Sequence, residues 1–188
     1  MRPALIVVDM QNDFCLPSSR LFVAGAAVAI DGVQRAVAGF RAAGAPVIWV
    51  IRQHRPGGED VDRARQALFR EQPFLASSPG ADLADGLAVA EGEVIVVKRR
   101  WSAFFATDLD LVLRRLGIDT VVVAGVQTPN CIRATAVDAT SLDYETVVLS
   151  DATASADDTV QAANLSDMAN MGIRIATVEE TVRGLATA

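Results

Sequence analysis

The chain has 188 residues, which suits one domain, and 51% of them are hydrophobic against only 5% aromatic. A net charge of −6 disfavours a nucleic-acid partner held by a basic surface, and two cysteines are too few for a disulfide scaffold. No apolar run approaches the ~20 residues of a membrane helix, and the opening residues lack a signal-peptide layout, so a cytoplasmic protein with no membrane partner is expected.

Strand-like and helix-like patterns alternate along the whole chain. Residues 4–9 read as a buried strand ending on Asp9. Residues 26–43 read as a helix, with Val33, Val37 and Phe40 on one face and Gly44 as its stop. Pro46 opens a second strand, Val47 to Ile51. Residues 53–92 lack a clear period, and their length suggests a cover over a site, with short helices near 64–69 and 83–87. Val94–Lys98 is the third strand, and Leu109, Leu113 and Leu116 mark a helix closed by Gly117. The fourth strand spans residues 120–125 and feeds a helix from about Asn130 to Leu142. A strand at 146–150, a helix at 157–171, a strand at 173–177 and a helix at 179–185 complete the chain. Near-continuous apolar strands separated by helices predict one α/β domain over 1–188, with a parallel sheet covered on both faces. Ligands in such sheets bind beyond the carboxyl ends of the strands.

Three polar residues fall at those ends. Asp9 follows five apolar residues, where a carboxylate is costly to bury unless paired or used. A helix or turn cap for the Gln11-Asn12-Asp13 segment is the simpler role for it. Lys98 ends the third strand, and it also opens a charged Lys98-Arg99-Arg100 run of the kind that is usually solvated. Cys131 sits where Thr128 suits an N-cap and Pro129 the first helical position, a setting that lowers a thiol pKa. A free cysteine is equally often a small buried hydrophobe. Taken together, an acid, a lysine and a cysteine at strand ends suit nucleophilic catalysis.

The segments Asp9-Met10-Gln11-Asn12-Asp13-Phe14, Lys98 with Ser102-Ala103-Phe104, and GVQTPNCIRATAVDA at 125–139 resemble the isochorismatase-like cysteine hydrolases over nearly the whole chain. The resemblance implies a three-layer α/β/α fold with a six-stranded parallel sheet, a homo-oligomer and a small-molecule substrate. It implies an Asp9-Lys98-Cys131 triad, a cis peptide at Val126–Gln127, and an oxyanion hole from the backbone N–H groups of Gln127 and Cys131. Nicotinamidase-like members bind a metal through an Asp and histidines after the second strand. Here Arg52 stands where that Asp is expected and His54 is the sole histidine, so neither metal nor other cofactor is expected. Isochorismatases proper cleave an enol ether and can dispense with the cysteine, so Cys131 favours C–N hydrolysis of a small amide, ureido or carbamoyl compound. A non-catalytic binding protein, or a redox sensor pairing Cys15 with Cys131, are the rival readings. Phe14, Arg52, His54, Trp101 and Phe104 are candidate substrate contacts, and core packing is the alternative for the aromatics. Arg52 and Arg133 suit a substrate carboxylate, although Arg133 equally suits solvent or a neighbouring subunit.

Overall fold

A computed structural model describes residues 1–76 and 79–185. Six parallel strands form one sheet in the order β3-β2-β1-β4-β5-β6: β1 Pro3–Val8, β2 Val47–Arg52, β3 Val94–Lys98, β4 Thr120–Val126, β5 Glu145–Ala154 and β6 Arg174–Ala176. Strand alternation divides the core in two. Leu5, Val7, Val122 and Ala124 face α2 (Ala26–Ala42), whose Val33, Ala36 and Phe40 complete that side. Ala4, Ile6, Val8, Val121 and Val123 face α4 (Leu109–Arg115), α5 (Arg133–Ser141) and α6 (Asp158–Asn170). α7 (Val178–Leu185) packs beside α2, giving the expected three layers. Each buried Val, Leu or Ile contributes about 1.5–3 kcal/mol, so the two aliphatic clusters supply most of the driving force. No described helix is long and apolar enough to cross a membrane.

The chain runs outward from β1 through β2 to β3, then returns to β4 on the other side of β1. The strand order therefore reverses between β1 and β4, where open α/β sheets bind ligands. Gly125 makes this junction tight. Its φ is +114°, and a Cβ there would lie 2.1 Å from the carbonyl oxygen of Val8. Only glycine satisfies both demands.

Several expectations shift. The helix expected at 83–87 is absent. Leu83 instead bridges Gln11, and Ala84 N–H donates to the Met10 carbonyl at 2.9 Å, so these backbone groups serve the β1 segment. The segment after β1, expected as a helix or turn start, forms the short helix α1 (Asn12–Cys15). In the 64–69 region a 3-10 turn, Arg63–Arg65, leads into α3 (Gln66–Glu71). β5 runs past Ser150 to Ala154, with an irregular register against β4 between Val123 and Gly125. The helix expected from Asn130 begins as a π-helical turn, Thr128–Ile132, before α5.

Candidate active site

Asp9 follows β1 with φ 55°, a left-handed conformation uncommon for non-glycine residues. Its N–H donates to the Val50 carbonyl at 2.9 Å, fixing it over the ends of β1 and β2. Lys98 ends β3, and Cys131 lies in the π-helical turn after β4. The three side chains converge. Lys98 Nζ stands 2.7 Å from Asp9 Oδ2, donates to Cys131 Sγ at 3.3 Å and to the Arg100 carbonyl at 3.0 Å. The ammonium thus makes hydrogen bonds to Cys131 and Arg100 and an ion pair with Asp9, whose two oxygens have no hydrogen-bond partner among the described residues. All three side chains are buried.

The thiol departs from its expected state. Burial pushes Cys131 up to about 11, the Asp9 charge adds to the rise, and Lys98 and Arg52 oppose it. Desolvation outweighs the helix-start effect, so the resting sulfur is a thiol. Nor does Thr128 cap the turn. Gln127 takes the N-cap position without a side-chain bond, and Thr128 Oγ1 is buried with no hydrogen-bond partner. The Val126–Gln127 peptide is cis, as the resemblance implied. The Gln127 carbonyl accepts from Asn130 N–H at 3.0 Å and Ile132 N–H at 3.3 Å.

The other candidates are placed less uniformly. Arg52 is in register with Lys98 on the adjacent strand, so both side chains leave the same face. Its guanidinium carbon lies 4.9 Å from the Trp101 ring centroid. Trp101 also walls an open hollow of about 370 Å³ with Pro129, Asn130 and Arg133, directly beside the cysteine turn. Arg133 is already engaged, pairing with Asp167 and donating to Asn164 Oδ1 at 3.3 Å. Phe14 packs in the α2-side cluster with Met10 and Val23, whereas Cys131 belongs to the opposite cluster. Phe104 stacks on Tyr144, ring centroids 6.0 Å apart, just before the amino end of β5. Cys15 and Cys131 are both free and belong to clusters on opposite faces of the sheet.

His54 is held edge-on by Phe69 and Phe74, with Nδ1 3.4 Å from Asp60 Oδ1. Burial, then the Arg52 charge, pushes it down to about 4 from 6.5. The folded protein therefore prefers neutral imidazole. That preference stabilises fully above pH 6.5 and is lost as the pH falls through 6.5 toward about 4. Denaturant unfolding should show up to about 3 kcal/mol less stability at the acid end of that window. His54→Leu should flatten the decline; an unchanged slope would assign it to other groups. A dication suits this corner poorly, because the Arg52 guanidinium is itself a fixed cation beside the only histidine.

Sequence reasoning missed the residue that holds the two strand ends together. Buried Gln11 accepts from Arg52 N–H at 2.7 Å and donates to the Arg52 carbonyl at 2.9 Å. Its amide also donates to Ala81 at 2.7 Å, and Asp13 accepts from Leu75 N–H at 2.7 Å. The segment after β1 thus anchors the cover at Leu75 and Ala81. The signals for Gln11 are a polar residue shortly after a buried strand and its place in the Asp9–Phe14 segment that carries the resemblance.

The profile of the isochorismatase domain matches residues 3–180. The chain belongs to the isochorismatase family. An isochorismatase-family protein from Desulfovibrio vulgaris is 43% identical, with a TM-score of 0.95 and 98% of each chain covered. A cysteine hydrolase from Pseudomonas syringae is 33% identical, with a TM-score of 0.94, over 99% of this chain and 93% of that one. A protein of Arabidopsis thaliana described as a probable inactive nicotinamidase is 42% identical over 97% of this chain and 96% of its own. This isochorismatase-family chain thus resembles both a cysteine hydrolase and a protein described as a probable inactive nicotinamidase.

Proposed function

We propose that the protein is a metal-independent cysteine hydrolase that cleaves a C–N bond of a small amide, ureido or carbamoyl substrate. The observation carrying this reading is Lys98 Nζ bridging Asp9 Oδ2 at 2.7 Å and Cys131 Sγ at 3.3 Å beyond the strand ends. Asp9 accepts the thiol proton as substrate closes the site, and Lys98 holds the thiolate and the carboxylate together. The sulfur attacks the carbonyl carbon. Backbone N–H groups of Gln127 and Cys131 receive the oxyanion, each donor worth about 3–4 kcal/mol in comparable sites. Asp9 then protonates the leaving nitrogen, the C–N bond breaks and a thioester remains. Water, deprotonated by Asp9, releases the acid and restores the thiol.

The high resting thiol pKa is compatible with this order of events, because proton transfer to Asp9 accompanies attack and no standing thiolate is required. It also favours one second reading, a non-catalytic binding protein, as does the likeness to a probable inactive nicotinamidase. A panel of small amides and ureides assayed for ammonia release, with and without chelator, separates the two. Chelator-resistant release is the expected result. Silence across the panel favours the binding protein, and strict metal dependence removes the proposal.

A further inference from the structure

The cations around the triad outnumber their partners. Arg52 is fully buried, yet its Nε and Nη1 have no hydrogen-bond partner among the described residues. Only Nη2 is engaged, donating to the Arg99 carbonyl at 3.3 Å and lying 3.6 Å from Asp62 Oδ2. A second guanidinium, Arg65 on the 3-10 turn of the cover, lies 4.3 Å from the centroid of the same Trp101 ring that Arg52 faces at 4.9 Å. Arg65 Nη1 is also buried and unpartnered. Three cations, Lys98, Arg52 and Arg65, therefore face two carboxylates, Asp9 and Asp62, with a neutral thiol between them. Arg99 does not share this deficit, since its Nε pairs with Asp60 at 2.7 Å. Two like charges on one indole, with one charge uncompensated, are costly unless an anion completes the set.

We infer that Arg52 and Arg65, with Trp101 between them and the hollow, form a carboxylate subsite, so that the substrate is a small amide or ureide bearing one carboxylate. This inference rests on the hydrolase reading for the position of the scissile carbonyl. The unpartnered N–H groups are the fork donors that a planar carboxylate takes in bidentate fashion. Spacing limits the substrate further. Arg52 and Lys98 occupy adjacent strands in register, about 4.8 Å apart. The carboxylate and the scissile carbonyl are therefore only a few bonds apart, as in an amide or carbamoyl derivative of a short carboxylic acid.

The test needs no turnover. Iodoacetate and iodoacetamide alkylate a thiol by the same displacement: the S–C bond forms, the C–I bond breaks, and iodide leaves. They differ in one carboxylate. The rate ratio of the two reagents at Cys131, read by mass spectrometry, is compared with the ratio at Cys15 in the same chain. The ratio at Cys131 should favour iodoacetate over the Cys15 ratio by about tenfold or more, the scale of a charge-assisted contact. Arg65→Gln, at a half-buried position, and Arg52→Gln should each bring it close to the Cys15 ratio. Equal ratios at both cysteines in the unaltered protein would overturn the subsite. So would a preference that survives Arg65→Gln, or a Cys131 that reacts with neither reagent. Failure of the hydrolase reading shows elsewhere, as silence in the ammonia assay with the iodoacetate preference intact.

Discussion

Cys131→Ala should remove hydrolysis of any amide or ureide that the protein turns over, by roughly four to six orders of magnitude, while the fold survives. Loss of a nucleophile that works as part of a unit has that scale, because no other group forms the covalent bond. The structural cost is small. The alanine side chain omits one sulfur atom from a buried site, a cavity term of about 1 kcal/mol. Lys98 and Asp9 keep their 2.7 Å contact without the thiol, so no buried charge is stranded. Turnover and thermal unfolding measured on the same preparation check both halves. Full activity in Cys131→Ala would end the covalent scheme.

Asp9→Asn separates chemistry from stability. The amide keeps the carboxylate's shape but cannot take the thiol proton, so turnover should fall by about 10²–10⁴, the usual worth of a general base. It also leaves the fully buried Lys98 ammonium without its counter-ion. Breaking a buried pair on one side costs about 3–5 kcal/mol. Adding Lys98→Met removes the stranded charge, so the double variant should regain most of that stability and none of the activity. Denaturant unfolding of the single and double variants, beside their turnover, gives the comparison. Asp9→Asn with undiminished turnover would show that another group takes the proton.

Much of this architecture was legible in the chain because its strands are uninterrupted apolar runs. Val121-Val122-Val123-Ala124 has no helical period, and Gly44, Gly117 and Gly172 stop the helices cleanly. Asp9, Lys98 and Cys131 stood out because each interrupts or closes such a pattern. The cover at 53–92 was not legible in the same way. Besides local turns, it makes backbone bonds to distant residues, as when Asn12 N–H reaches the Asp82 carbonyl, and no local period records that. The leucine spacing near 83–87 imitated a helix for this reason. The roles of Arg65 and Gln11 are not readable locally because they depend on partners that lie far along the chain. The direction of the thiol shift was misjudged because residues beside Cys131 report the helix start, whereas its burial comes from other segments.

β3, which carries Lys98, is the terminal strand of the sheet, and Ile95 on it is half exposed. Asp9 and Cys131 flank the two central strands, β1 and β4. Outer strands exchange their amide hydrogens through partial openings that leave the middle of a sheet untouched. Opening of β3 alone would therefore withdraw the ammonium while Asp9 and Cys131 keep their places. A molecule in that state would stay almost wholly folded and yet lack the cation beside Asp9 and Cys131, so hydrogen exchange at β3 measures how long the cluster stays intact under heat or denaturant.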